Sequence, residues 1–207
     1  MHTTPELPML SAIVDDLATQ GWSVQANFLP AEQVRALADE CCRRAAEGEL
    51  NPAGVGRGGS QEIREAIRGD HILWLDPGQS GACDQYLGAM EGLRQALNQG
   101  LYLGLEDYES HFALYPPGAF YRRHLDRFRD DDRRAVSAVF YLNQDWQPGD
   151  GGELRMFLAD DVEHDVQPTA GTLVVFLSGD VPHEVLAARR DRLSLTGWFR
   201  RRGNEPF

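Results

Sequence analysis

The chain of 207 residues contains no lysine; all 20 of its basic residues are arginine. That absence removes three chemistries at once, because a Walker-type phosphate loop, a Schiff-base lysine and a pyridoxal-phosphate anchor all need the ε-amino group. Cysteine is nearly as scarce. Cys41 and Cys42 are adjacent and Cys83 stands alone, so no Cys-x-x-Cys pair can form a redox motif, an iron–sulfur cluster or a four-cysteine zinc site. No run approaches the ~20 apolar residues of a membrane helix. The first 20 residues lack the basic start and unbroken apolar stretch of a secretory signal. A cytoplasmic chain with no membrane partner is expected. A formal net charge of −12 opposes nucleic-acid binding, since phosphate contacts need a basic surface.

What is present is an ordinary globular composition, 42% hydrophobic and 25% charged, at a length that suits one domain spanning residues 1–207. Residues 6–20, 30–47 and 82–99 carry helical apolar spacing, with GWSVQANFL (21–29) between the first two reading as a strand. Ile72–Leu75 reads as another short strand. After about residue 108 the texture changes to short strands separated by turns. The candidates are His111–Tyr115, Tyr121–Leu125, Ala135–Leu142, Glu153–Phe157, Val162–Val166, Gly171–Phe176, His183–Val185 and Leu193–Phe199. About eight strands at this spacing predict a closed sandwich or barrel. The expected fold is mostly β, with residues 1–107 supplying helical support and residues 108–200 the β core.

The positive charge is clustered. Arg122, Arg123, Arg127, Arg129, Arg133 and Arg134 crowd one stretch and Arg200–Arg202 another. These are either solvated arginines balanced by Asp130, Asp131 and Asp132, or a local groove for an acidic protein partner.

Chemistry concentrates in His124-Leu125-Asp126. On a strand, residues i and i+2 share a face, so an imidazole and a carboxylate would enter the interior together. Alone this reads more simply as a His–Asp hydrogen bond. With His183, however, the pair completes a 2-His-1-carboxylate set, the facial arrangement of non-haem iron(II) oxygenases. Arg192 opens an apolar strand nine residues later. A buried arginine is costly unless it meets an anion, and its planar fork suits a carboxylate. A dicarboxylate could then chelate metal at one end and meet Arg192 at the other. A hydrolytic zinc site would show HExxH or cysteine ligands, and neither is present. His2, His71, His111 and His164 lack a partner at strand spacing and read as surface or core residues.

Several stretches together resemble the catalytic domain of hypoxia-inducible-factor-type prolyl hydroxylases. They are Tyr115-Pro116, Tyr121-Arg122-Arg123-His124-Leu125-Asp126, Tyr141-Leu142-Asn143-Gln144-Asp145-Trp146, Gly151-Gly152-Glu153-Leu154-Arg155 and Pro182-His183-Glu184-Val185, with Arg192 and Trp198. Ile67–Trp74 is similar to that family's substrate-side hairpin. The resemblance implies a double-stranded β-helix (jelly-roll, cupin-like) core packed by N-terminal helices. It implies iron(II) on His124, Asp126 and His183, and 2-oxoglutarate with its distal carboxylate on Arg192 and Tyr141. Tyr115, Leu154, Thr196 and Trp198 fall at pocket-lining positions, although each also has a plain packing reading. Dioxygen is the second co-substrate and ascorbate the reductant. The implied reaction is hydroxylation of a prolyl residue, at C4, in a protein such as a translation factor or ribosomal protein. Two other readings stay open: oxidation of a free amino acid or small molecule with the same cofactors, and a non-catalytic 2-oxoglutarate sensor. Substrate choice would reside in the Gly-rich loop 48–60 and the arginine-rich loop 127–134.

Overall fold

Strands that are buried on both faces read as continuous apolar runs rather than alternating ones, and Arg134–Tyr141 (β6) and Leu173–Leu177 (β9) are such strands. They lie in the middle of a seven-stranded antiparallel sheet in the computed structural model, which describes residues 7–54, 67–127 and 132–203. The sheet also contains Trp22–Gln25 (β1), Asn51–Pro52 (β2), His71–Trp74 (β3), Leu105–Tyr115 (β4) and Arg192–Arg201 (β11). Its order is β1-β9-β6-β11-β4-β3-β2. A four-stranded sheet faces it: Tyr121–His124 (β5), Leu154–Phe157 (β7), Glu163–Val166 (β8) and His183–Val185 (β10), in the order β5-β10-β7-β8.

Three helices back the large sheet. Leu7–Gln20 (α1) buries Leu10, Ile13 and Leu17, and Ala31–Ala46 (α2) buries Val34, Leu37, Ala38 and Cys41. Gly81–Leu101 (α3) buries Tyr86, Met90, Leu93 and Leu97, and begins where the Ser80 hydroxyl accepts from the Cys83 amide at 3.2 Å. These stripes meet Leu193, Leu195, Phe199, Phe140 and Phe112 from the back of the sheet. Truncating a fully buried leucine such as Leu93 costs about 2–5 kcal/mol. Tyr115, Val139, Tyr141, Met156, Val174 and Phe176 make a second core between the sheets. The period of two thus splits β11: Leu193, Leu195 and Phe199 face the helices, while Arg192, Thr196 and Trp198 line a cavity between the sheets.

The eight strands expected after residue 108 are present, and the expectation of a mostly β double-stranded β-helix with N-terminal helices holds. Boundaries differ where side-chain pairing overrides local pattern. β4 starts at Leu105 rather than His111, and β11 runs on to Arg201. The charged extensions stay in the sheet because Arg200 bridges Asp107 at 2.7 Å and Glu109 at 2.6 Å across the strands. The strand read over 21–29 stops at Gln25. Asn27 turns the chain at φ 55°, and Phe28 and Leu29 enter the helical core instead. Among the described residues no helix is long and apolar enough to cross a membrane. His2, Arg129 and the 55–60 and 128–131 parts of the two loops assigned to substrate choice lie outside the described residues.

Candidate active site

His124 and His183 are direct cross-strand partners on β5 and β10. Each ring is fixed by the carbonyl two residues before it: His124 Nδ1 lies 2.7 Å from the Arg122 oxygen and His183 Nδ1 3.1 Å from the Val181 oxygen. A carbonyl only accepts, so both Nδ1 atoms carry the proton and both Nε2 lone pairs are directed away. They converge on Asp126. Its Oδ1 is 3.5 Å from His124 Nε2 and its Oδ2 is 3.7 Å from His183 Nε2. One ligand atom from each of the three residues lies within 4.8 Å of the others.

His124 and Asp126 do not share a strand face as their i, i+2 spacing predicts, although their side chains still meet. β5 ends at His124, and Asp126 sits in the bend that follows, where the chain leaves the small sheet. The Arg127 amide donates to the Ser178 carbonyl at 3.3 Å, tying that bend to the end of β9. Ser137, on β6, donates to Asp126 Oδ2 at 2.6 Å, and Ser178 lies 2.8 Å beyond Ser137. Burial alone would raise the Asp126 carboxyl; His183, His124 and the Ser137 hydroxyl instead hold it well below the usual carboxylate range. Burial pulls His183 down to about 4, so its imidazole is neutral at physiological pH and able to donate a lone pair.

Arg192 is 1% exposed and has no carboxylate partner among the described residues. Its guanidinium carbon lies 5.2 Å from the Tyr115 ring centre and 5.1 Å from that of Tyr141. Nε donates to the Gly152 carbonyl at 2.7 Å, while Nη2 and the Tyr141 hydroxyl are both buried without a hydrogen-bond partner. A buried donor left unsatisfied costs about 1–3 kcal/mol, more when charged. Two beside one another describe a place for an anion. Burial pushes the Tyr141 phenol up to about 12 against the pull of Arg192, so it stays a donor.

Asn143, quoted above only as part of a motif, sets where β11 begins. Its side chain accepts from the Leu193 amide at 2.6 Å and donates to the Leu193 and Pro168 carbonyls at 3.0 and 2.7 Å. Arg192 is the next residue back.

The cavity between the sheets has a volume of about 360 Å³. His124, Asp126, His183, Arg192, Tyr115, Leu154, Thr196 and Trp198 line it. Tyr141 is buried beside Arg192 and is not among the lining residues. His111, read as surface or core, is both buried and on the wall, 5.0 Å from the Trp74 ring and 5.6 Å from Trp198. Arg68 and Asp70 also line it, joined at 2.6 and 2.9 Å by both guanidinium arms. Arg68 and Asp70 lie in the Ile67–Trp74 stretch that resembles a substrate-side hairpin, whereas no local pattern distinguishes His111 from an ordinary strand residue. At the mouth, Trp74 and Leu125 are each 43% exposed.

Comparison with known proteins agrees with this geometry. Residues 110–200 match the family described as the 2OG-Fe(II) oxygenase superfamily. A crystal structure of a Pseudomonas putida prolyl-4-hydroxylase is 75% identical, covering 94% of this chain and 100% of that one with a TM-score of 0.88. A Trichoplax adhaerens prolyl hydroxylase structure, in complex with a hypoxia-inducible-factor oxygen degradation domain peptide fragment, is 25% identical. It covers 93% of this chain and 89% of that one, with a TM-score of 0.84. Human Egl nine homolog 1 is 30% identical over 199 residues, 92% of this chain and 46% of that protein. The chain spans about half the length of the first curated relatives it matches.

Proposed function

The chain belongs to the 2OG-Fe(II) oxygenase superfamily and to its prolyl hydroxylases, and from that premise we propose that it hydroxylates a prolyl residue, at C4, of a protein substrate. The observation that carries this reading is the unpartnered pair, Arg192 Nη2 and the Tyr141 hydroxyl, buried beside a cavity that also receives two imidazoles and a carboxylate.

The residues fit the cofactors the family implies. His124, Asp126 and His183 offer two imidazole nitrogens and one carboxylate oxygen, a donor set that would hold iron(II) and leave room for further ligands. A five-carbon dicarboxylate fits the remaining donors, its distal carboxylate accepting from Arg192 and Tyr141. Bound together, iron(II) and 2-oxoglutarate supply dioxygen activation, one oxygen atom ending in succinate as carbon dioxide is lost and the other in the hydroxyl group of the substrate.

The chain's own part is placement. The Arg122 and Val181 carbonyls hold the two imidazoles in the tautomer that offers Nε2. Tyr115 and Tyr141 flank the guanidinium and exclude water from it, while Leu154 and Val185 supply apolar wall. Thr196 and Trp198 extend that wall from Arg192 along the same face of β11. The exposed Trp74 and Leu125 at the mouth favour a protein segment over a free amino acid as substrate. Ascorbate is the proposed reductant, the cytoplasm the proposed location, and a translation factor or ribosomal protein the proposed class of target.

The reading is tested by incubating the protein with iron(II), 2-oxoglutarate, ascorbate and a lysate of its source cells, then searching by mass spectrometry for prolines gaining one oxygen. A modified proline absent from a His124→Ala incubation supports it. Succinate formation with a modified small molecule and no modified protein would replace it with the small-molecule reading. Tight 2-oxoglutarate binding without succinate would leave a sensor.

A further inference from the structure

We propose that Ser178 and Ser137 are positioning residues for Asp126, a two-hydroxyl relay that decides which carboxylate oxygen is offered to the metal. This deepens the function proposed above and rests on it, since it takes His124, Asp126 and His183 as metal ligands.

A serine hydroxyl has one hydrogen. Ser137 gives its hydrogen to Asp126 Oδ2 at 2.6 Å, a charge-assisted bond. The Ser137–Ser178 contact at 2.8 Å must then be a donation from Ser178. The chain of donors runs one way, Ser178 to Ser137 to Asp126, and both serines are fully buried, so water does not compete for either hydroxyl. Oδ1, in contrast, receives no serine hydroxyl; it lies 3.5 Å from His124 Nε2, while Oδ2, beside its serine, lies 3.7 Å from His183 Nε2.

A carboxylate can give a metal one oxygen or two. Two would occupy a coordination position that the proposed chemistry needs for the 2-oxo acid or dioxygen. With one lone pair of Oδ2 taken by Ser137, Oδ1 is the less encumbered oxygen, and the proposed relay biases the carboxylate toward giving one ligand atom.

Ser178 also stands where the ligand-bearing segments meet. Its carbonyl accepts from the Arg127 amide, next to Asp126, and its own amide donates to the Ala135 carbonyl of β6 at 3.1 Å. Three residues on, the Val181 carbonyl that fixes the His183 ring is itself anchored, the Val181 amide donating to Leu177 at 3.3 Å. A shift at Ser178 therefore reaches Asp126 through the side chain of Ser137 and through the backbone of Arg127.

The test is an anaerobic titration of metal-free protein with cobalt(II), read by visible absorption, for wild type, Ser137→Ala, Ser178→Ala, the double variant and Ser137→Thr. Thermal unfolding of each metal-free protein checks the fold, and His124→Ala checks the site. Removing a hydrogen-bond partner of a ligand typically weakens metal binding by about 10–100-fold, and that loss is expected for Ser137→Ala, with a changed cobalt spectrum. Ser178→Ala should lose several-fold, the double variant no more than Ser137→Ala alone, and Ser137→Thr should recover the affinity. Wild-type affinity and spectrum in Ser137→Ala, or losses that simply add in the double variant, would overturn the relay. If Ser137→Ala does not fold, an unchanged Ser178→Ala overturns it as well. Equal cobalt binding by wild type and His124→Ala would instead sink the metal site itself, and the relay with it.

Discussion

The Arg192 side chain lies directly on Gly152: its Nε donates to the glycine carbonyl at 2.7 Å, and its Cδ passes 3.1 Å from where a Cβ on that residue would stand. Gly152 has φ +74°, and a Cβ would also meet Ala188 at 3.0 Å and Trp146 at 3.3 Å. Gly152→Ala therefore combines a backbone cost of about 1–2 kcal/mol with a push on the guanidinium. A fall in Tm of roughly 2–8 °C is expected from that cost. The KM for 2-oxoglutarate should rise more than kcat falls. An unchanged KM would mean that Gly152 does not position Arg192.

Tyr141→Phe separates stability from binding. The hydroxyl is buried with no hydrogen-bond partner, so its removal should leave the ligand-free protein as stable or more so, by up to about 1–3 kcal/mol. With 2-oxoglutarate and manganese(II) present, the order should reverse, because wild type gains a bond that the variant lacks. Thermal unfolding with and without the dicarboxylate reads both signs. A variant destabilised without ligand would show that the hydroxyl has another partner.

Stability should fall on acidification before the carboxylates titrate. Burial pulls the His111 imidazole from an ordinary 6.5 down to about 4, with Arg68 adding to the effect and Asp70 opposing it. The folded-state pKa is depressed, so between pH 6.5 and 4 the unfolded chain binds a proton that the folded chain refuses. The stabilisation is whole above pH 6.5 and is lost as pH falls through this window, at about 1.4 kcal/mol per pH unit per histidine. His183 behaves in the same direction. Urea unfolding of His111→Gln across the window should show a shallower pH slope than wild type. Equal slopes would contradict the burial assigned to His111.

Asp70 is the buried half of a bidentate pair with Arg68, whose guanidinium carbon also lies 4.9 Å from the Tyr121 ring centre. Asp70→Asn leaves a largely buried cation without its charge partner, a change that costs about 3–5 kcal/mol when a buried pair is broken. A Tm lower by roughly 10 °C is expected. Replacing both residues by apolar ones of similar volume should recover much of the loss. A single variant as stable as wild type would show that the pair is effectively solvated.

The β architecture was legible because eight short apolar segments are cut by glycine and proline turns, and the helices because their apolar stripes recur at three and four residues. The side chains around the cavity were legible where a motif singles them out: His124 and Asp126 two apart, His183 after a proline, Arg192 alone at the head of an apolar strand. What did not show were relationships made only by the fold. Ser137 and Ser178 are 41 residues apart and look like ordinary strand and turn serines until β6 and β9 pair. His111 gave no signal because the rings beside it, Trp74 and Trp198, come from β3 and β11. The charged ends of β4 and β11 fall outside the strands read from the sequence because the arginine–carboxylate pairs that keep them in the sheet span about 90 residues of sequence. Asp126 was reached by assuming a strand where the chain bends. The bend nevertheless aims the carboxylate at the same imidazoles that a strand would have brought it to.

The most direct measurement is succinate produced from 2-oxoglutarate under air with iron(II) and ascorbate, compared among wild type, His124→Ala and Arg192→Ala, with bound iron quantified for each. Succinate from wild type is expected, with His124→Ala near background and low in iron. Arg192→Ala should keep its iron but need far more 2-oxoglutarate. Wild-type protein that holds iron yet forms no more succinate than either variant, with or without cell lysate, would contradict the oxygenase reading.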